Sequence, residues 1–345
     1  MTKREKLAEN IILMEKDGQK FILPETVDGR YEIADILSSN SGFGLVLTAY
    51  DKNVFGRKVL IKVRNYKGKV KPGNLDNKRI IEQARKETRI EVGTLSLIRQ
   101  INIPNTPVIR DIVYGYYPGF LWSEDGKISS EASPELQEYI YNEPYIVLQY
   151  IEGETLKDYF AKIKATTKLS SLEWQKTVLE VAKQILKMLR KLYRVGEKHP
   201  KIEKIIYQDL KLENIIVTPS GNFALIDFGG CGLILKDGTT VNLGEIYTPG
   251  YKAPELLIPN AKKLVSEKLD IYTLGVVMYI LLTGIQMTTS NVDKGMLKID
   301  YSLLNVIPSV KEIIVRATEP DVEKRADVDE LLEMIFAALK DIANS

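Results

Sequence analysis

Within six residues, Asp209-Leu-Lys-Leu-Glu-Asn214 sets a carboxylate, a lysine and an amide, and Asp227 of Asp227-Phe-Gly229 follows Asp209 by eighteen positions. Between them, Ile215-Ile-Val217 and Phe223-Ala-Leu-Ile226 read as two short strands closed by Pro219-Ser-Gly-Asn222. Such a hairpin brings Asn214 and Asp227 to one mouth. An amide oxygen beside a carboxylate is a hard-donor metal site of the kind Mg²⁺ takes. An isolated Asp-Phe-Gly would be structural; the pair of segments at this spacing is specific.

Phosphoryl transfer asks a protein for positioning and charge neutralisation. Its parts are a flexible cover over the phosphates, a cation on them, Mg²⁺ ligands, and a carboxylate near the nucleophilic hydroxyl. Each has a candidate here, in one order. Tyr207-Gln208-Asp209-Leu210-Lys211-Leu212-Glu213-Asn214 and Asp227-Phe228-Gly229 resemble the catalytic loop and Asp-Phe-Gly motif of the eukaryotic-like (Hanks-type) protein kinases. The resemblance implies that Asp209 orients the substrate hydroxyl and accepts its proton, that Lys211 steadies the γ-phosphate, and that Asn214 and Asp227 hold Mg²⁺, or Mn²⁺ in its place.

Val59-Leu-Ile-Lys62 is similar to the family's third-strand motif, which implies Lys62 as the phosphate-anchoring cation. Its partner is expected to be Glu91, because Leu95 and Ile98 then fall on the same helix face, with Glu87 the alternative. Ser38–Val46 stands where the Gly-rich loop belongs, so Ser41, Gly42, Phe43, Gly44 and Val46 would lie against ATP. Only two of these are glycines and the loop is one residue longer than usual, which predicts a looser grip, since each Cβ limits backbone approach to phosphate. In Tyr145–Gly153 the resemblance implies Leu148 behind the adenine, and the backbone of Gln149 and Ile151, at the interlobe hinge, along its edge.

Downstream, Tyr247–Glu255 resembles the end of an activation segment, Asp270–Gly275 the buried helix below the catalytic loop, and Lys324-Arg325 the family's late arginine. These imply a buried Glu255–Arg325 ion pair and an Asp270 that holds the catalytic-loop backbone. Thr248 with Lys211 is the pattern of kinases that phosphorylate Ser or Thr of proteins. Residues 31–335 are covered, and Gly29–Ile33 with Thr248–Tyr251 suggest the compact bacterial type. Two departures stand in the key motif: Tyr207 replaces a histidine, and Gln208 replaces the arginine that normally pairs with a phosphate on the activation loop. Activity independent of phosphorylation at Thr239 or Thr240 is therefore expected. Two other readings compete. A pseudokinase or nucleotide-binding scaffold would fit the depleted loop and Gln208, but Lys62, Asp209, Asn214 and Asp227 are all present. A small-molecule kinase of the same fold would generally lack Ala253-Pro-Glu255 and Arg325.

Positioning these residues takes an α+β architecture. The bilobal kinase fold implies a small lobe of antiparallel sheet with one helix and a larger, mostly α lobe. The expected layout is an N-terminal extension over 1–30 that packs on the first sheet, an N-lobe over 31–150 with an insertion at 116–144, and a C-lobe over 151–345. The extension reads as a short charged amphipathic segment followed by Phe21-Ile-Leu-Pro24. Helices are expected at 78–100, Leu172–Tyr193, Ile271–Thr283 and Val328–Leu339.

Composition agrees with a globular chain: 44% of the 345 residues are apolar and 27% charged. Forty-eight basic against forty-six acidic residues leave a net charge of +2, which argues against nucleic acid as partner. Ile271–Ile285 is too short to span a bilayer, and the charged start lacks a signal-peptide pattern, so no membrane and a cytoplasmic setting are expected. Cys231, the only cysteine, reads as a small buried residue, and His199 as a surface turn residue. The twelve Lys and Arg from Arg57 to Arg89 read as solvated faces, and Trp122 with its neighbouring tyrosines as small-lobe packing. The acidic insertion reads as a solvated loop, or as the surface for a regulatory protein partner.

Overall fold

Tyr31 and Ile33, Leu45 and Leu47, and Val59 and Ile61 are buried with a more exposed residue between each pair, whereas Glu143 to Leu148 on a further strand is buried throughout. A period of two with one apolar face makes half-buried antiparallel sheet. The computed structural model describes residues 3–39, 44–66, 69–70, 75–121, 134–244, 248–257, 265–293 and 296–344. These divide into two compact units, Met1–Arg99 with Pro107–Tyr150, and Gln100–Thr106 with Ile151–Ser345.

The first unit begins with a three-stranded antiparallel sheet, β1 (Lys3–Ala8), β2 (Ile11–Lys16) and β3 (Gln19–Pro24). The charged start is therefore strand, every residue of β1 being exposed. Ile12, Met14, Phe21 and Leu23 join the core under the main sheet, so the extension is packed onto it. That sheet has six strands in the order β4-β5-β6-β7-β9-β8: β4 (Thr26–Val27), β5 (Tyr31–Ser38), β6 (Leu45–Asp51), β7 (Arg57–Val63), β8 (Ile109–Gly115) and β9 (Glu143–Gln149). One long helix, α1 (Asn77–Gln100), follows β7, with Leu95 and Ile98 buried beside Glu91. A short helix, α2 (Pro134–Ile140), lies in the connection from β8 to β9. Ser41, Gly42, Phe43, Trp122 and the stretch 122–133 lie outside the described residues.

Residues 100–106, expected in the small lobe, group with the second unit. There Leu225 N–H donates to Asn105 O at 3.1 Å and Lys191 Nζ to Asn102 O at 3.2 Å. This unit is mostly helical. After β10 (Glu154–Thr155) come α3 (Leu156–Ile163) and α4 (Leu172–Tyr193), the latter capped by Ser171, whose Oγ accepts from Trp174 N–H. Next, β11 (Ile202–Ile206) leads to the hairpin of β12 (Ile215–Val217) and β13 (Phe223–Leu225), in register Ile215↔Leu225. Strands β14 (Gly232–Leu235) and β15 (Thr240–Val241) add to β11 as a second small sheet. Helix α5 (Lys268–Thr283) is buried on every side from Leu269 to Leu282, as its apolar run requires. It ends at Gly284 in the left-handed conformation, and α6 (Pro308–Ala317) and α7 (Val328–Ala343) close the unit.

Cys231 is buried, as its sequence setting suggested. Among the described residues no helix is long and apolar enough to cross a membrane. Glu255 meets Arg325 through two hydrogen bonds, 2.8 and 2.9 Å, with both side chains almost fully buried. This is the ion pair that the sequence led one to expect.

Candidate active site

In the first unit, Lys62 lies on β7 opposite Val46 of β6, and its Nζ reaches Glu91 Oε1 at 2.6 Å. Both side chains are buried, which costs more than a surface pair returns, so the arrangement specifies position more than it adds stability. Glu87, the alternative partner, pairs with Arg64 at 3.1 Å, while Arg64 Nε donates to Thr88 Oγ1 at 3.0 Å. Gly44 is the one described glycine of the phosphate-loop segment. Its φ is 147°, and a Cβ there would fall 2.6 Å from Val63 O and 2.7 Å from Asn65 N, so only glycine fits. Leu148 is buried on β9 opposite Leu60 of β7. Gln149 N–H donates to Val108 O, just before β8, at 2.8 Å.

Asp209, Lys211 and Asn214 converge in the second unit. Lys211 Nζ lies 2.7 Å from Asp209 Oδ2, and Asn214 Nδ2 donates to the same oxygen at 2.9 Å and to Asp209 O at 2.8 Å. Thr248 Oγ1 donates to Asp209 Oδ1 at 2.7 Å and accepts from Lys211 Nζ at 3.1 Å. The carboxylate is thus held in one orientation from both sides. Asn214 O accepts from Ile226 N–H at 3.0 Å, which ties the catalytic loop to the residue before Asp227. Asp227 itself takes the left-handed backbone (φ 61°, ψ 77°), an uncommon state for a residue with a side chain. Ile151 opens this unit, half-buried.

These residues fit a bound Mg²⁺ by their chemistry. With Asn214 Nδ2 spent on Asp209, the amide presents Oδ1, and Asp227 supplies a carboxylate. Among the described residues no group of three or more His, Cys, Asp or Glu could hold a metal by itself. One or two protein oxygens completed by phosphate oxygens and water is the ordinary arrangement for Mg²⁺.

What fixes the loop backbone is Asp270 of α5. Its Oδ2 accepts from Tyr207 N–H at 2.8 Å and from the Tyr193 hydroxyl at 3.0 Å, and its Oδ1 accepts from Gln208 N–H at 2.7 Å. Full burial pushes its carboxyl up to about 6, against those donors. Tyr207 fills the space under Phe228 edge-on, with ring centroids 5.2 Å apart, and its hydroxyl donates to Ile226 O.

Gln208 does more than lack a charge. Its Nε2 donates to Gly230 O at 2.6 Å and Asn242 O at 3.0 Å, and its Oε1 accepts from Gly244 N–H at 2.6 Å. The side chain is 2% exposed and the residue has φ 68°. Gly232 leaves room for it, since a Cβ there would come 3.0 Å from Nε2. The sequence marks Gln208 only as a missing cation. The available signal for its second role is that an amide can both donate to and accept from a backbone, as arginine cannot.

A family model described as a protein kinase domain matches residues 134–338. Identity is 34% over 129 residues with the serine/threonine protein kinase ypkA of Aspergillus fumigatus, covering 35% of this chain and 20% of that protein. It is 32% over 140 residues with testis-specific serine/threonine-protein kinase 2 of Mus musculus, covering 37% and 38%. With hormonally up-regulated neu tumor-associated kinase homolog B of Xenopus laevis it is 29% over 206 residues, covering 55% and 29%. The matched part is between 20% and 38% of these relatives' length. All three are eukaryotic, and the compact bacterial type expected from Gly29–Ile33 finds no support among them.

Proposed function

The chain belongs to the protein kinase domain family, and on that premise we propose that it transfers the γ-phosphoryl group of ATP to Ser or Thr hydroxyls of protein substrates. The observation that carries this reading is the Asp209 carboxylate, held by Lys211, Thr248 and Asn214. In it Asp209 orients the hydroxyl and accepts its proton as the oxygen attacks phosphorus. Lys211, already on Asp209 and Thr248, steadies the charge on the transferred group, and Lys62, fixed by Glu91, holds the α- and β-phosphates. Asn214 and Asp227 would hold Mg²⁺, whose contribution is to neutralise charge on the phosphate oxygens. The backbone of Gln149 and Ile151 takes the adenine edge.

The relatives' names carry Ser/Thr specificity, and Thr248 beside Lys211 agrees with it. Catalysis without activation-loop phosphorylation belongs to the same reading, because the Gln208 amide itself holds Gly230, Asn242 and Gly244. A regulatory protein partner would act through the 116–144 connection. The test is labelled ATP with Mg²⁺ on the parent, Lys62→Met and Asp227→Asn. The parent is expected to label itself or a Ser/Thr-containing protein, and both variants to fall to background. Label persisting in both would reject the site, and nucleotide binding without label in any form would favour a scaffold.

A further inference from the structure

One buried charge cluster in the first unit takes part in no step of the reaction. Glu143, the first residue of β9, is fully buried; its Oε1 accepts from the Tyr66 hydroxyl at 2.9 Å and its Oε2 from Arg85 Nη2 at 3.3 Å. Arg85 lies on α1. The same Nη2 donates to Asn142 O at 2.7 Å, and the guanidinium sits over the Tyr139 ring, 4.7 Å from its centroid. Tyr139 and Asn142 belong to the returning limb of the β8–β9 connection, which is pinned to its outgoing limb by Tyr117 N–H donating to Ile140 O at 2.7 Å. Tyr66 in turn packs edge-on against Tyr117, with centroids 6.0 Å apart. Three segments therefore meet on one carboxylate: the stretch four residues past Lys62, the helix six residues before Glu91, and the connection.

A cluster of this kind is a poor device for stability, because desolvating the charges offsets their attraction. Arg85 Nε is even left buried with no hydrogen-bond partner among the described residues. What the cluster supplies is position. Arg85 contacts Asn142 O, Glu143 and the Tyr139 ring together, which ties the rotation of α1 to the connection and so bears on the direction of Glu91, roughly 9 Å further along the helix. Resting on the kinase reading, we infer that Arg85, Glu143, Tyr66 and Tyr139 are positioning residues, and that the two described limbs of the β8–β9 connection, at Tyr117 and at Tyr139–Glu143, form a built-in anchor holding α1 where Glu91 meets Lys62.

The titratable groups around Glu143 are Arg85 from α1, Arg64 and Tyr66 from the stretch after β7, Tyr117 from the connection and Tyr145 on β9. Burial, the largest influence, pushes Glu143 up to about 7 against the pull of Arg85. Glu143 therefore ionises only as pH rises toward neutrality, which forms the ion pair with Arg85 at a net cost in folding stability.

The test reads hydrogen exchange along α1 in the full chain without nucleotide, alongside kcat and KM for ATP, in the parent, Arg85→Ala, Arg85→Lys and Glu143→Gln. Arg85→Ala is expected to speed exchange of α1 amides about ten-fold while α5 stays protected, and to lower kcat about ten-fold with KM little changed. Arg85→Lys should recover part of both, because it restores the charge without the fork. Glu143→Gln should remove the acid limb of the kcat profile near neutral pH. Should Arg85→Ala fail to fold, Arg85→Lys and Glu143→Gln carry the same comparison. Unchanged α1 protection and kcat in the variants would overturn the inference, as would exchange that rises equally in α1 and α5. A parent that transfers no phosphoryl group would count against the kinase reading alone, because α1 exchange is read without turnover.

Discussion

In the first unit Lys62, the proposed phosphate anchor, is fixed by charge, to Glu91 at 2.6 Å, with Arg85 to Glu143 behind them. In the second unit the segment after Asp227 is fixed by a neutral amide, Gln208, bound to Gly230, Asn242 and Gly244. The difference is physical rather than descriptive. A buried ion pair carries a desolvation cost and fails badly when one partner is lost, whereas an amide among backbone groups carries no ionisation to lose and fails only by the bonds left unmade.

The largest expected effects cut each half at its centre. Lys62→Met and Asp227→Asn should each lower phosphoryl transfer by about a thousand-fold or more. They should then differ in stability. Lys62→Met leaves Glu91 buried without its cation, at a cost of about 3–5 kcal/mol unless Glu91 takes up a proton. Asp227→Asn leaves no such charge, so its Tm should stay near the parent's. Equal Tm losses in a thermal-unfolding comparison would break the contrast.

Next in size is Gln208. Gln208→Ala leaves two carbonyls and one N–H of the segment without partners, at about 1–3 kcal/mol for each group that stays buried and unsatisfied. A kcat lowered about ten-fold and a lower Tm are expected. Gln208→Glu should be worse than Ala, because the carboxylate would face Gly230 O and Asn242 O where an NH₂ now donates. A Glu variant that matched the parent would show that the amide is not the clamp.

The two regions also differed in how far the sequence revealed them. The 207–214 loop, the β12–β13 hairpin and α4 were legible as structure because their signals are local: fixed spacing, a turn, an apolar period. Glu91 followed from the face it shares with Leu95 and Ile98. The Glu143 cluster was not legible, since Tyr66 and Arg85 meet Glu143 across 77 and 58 residues and each type is unremarkable alone. Strand β1 was missed for another reason. Its Lys- and Glu-rich run is exposed on every residue and carries no apolar alternation to announce a strand. Gln208 was noticed for the charge it lacks, while its partners lie 22 to 36 residues away and only the folded β14–β15 segment brings them in.

A smaller effect tests the charged half through pH. Glu143 is raised to about 7 from the ordinary carboxyl value of 4.5, so the folded state binds its proton more tightly than the unfolded chain does. Stability contributed by this group is therefore present at low pH and lost as pH rises from about 4.5 to 7. Asp270, also raised, adds a slope of the same sign below about 6. Glu143→Gln removes only the first contribution. Its Tm should fall less than the parent's between pH 5 and 7.5, by a few degrees. Parallel Tm curves for parent and variant would mean that Glu143 titrates outside this range.

The smallest expected effect is the one the neutral clamp makes most specific. Thr239 and Thr240 are exposed in the turn and first residue of β15, and that segment is already built. Leu235 N–H donates to Thr239 O at 2.8 Å, β15 pairs with β14, and Gln208 closes the far end. Thr239 Oγ1 donates to Asp237 Oδ1 at 2.6 Å, an interaction that lowers the Asp237 carboxyl below its usual range. A phosphate on Thr239 would stand against that carboxylate, and at the position where an arginine would receive it the loop has Gln208, whose amide is already committed. Thr239→Ala with Thr240→Ala should therefore change kcat by less than about three-fold, with the local exchange of β14 unchanged. A loss of ten-fold or more would mean that phosphorylation contributes an ordering force that Gln208 does not replace. The second unit would then depend on charge as the first does, and the contrast between the two would fail.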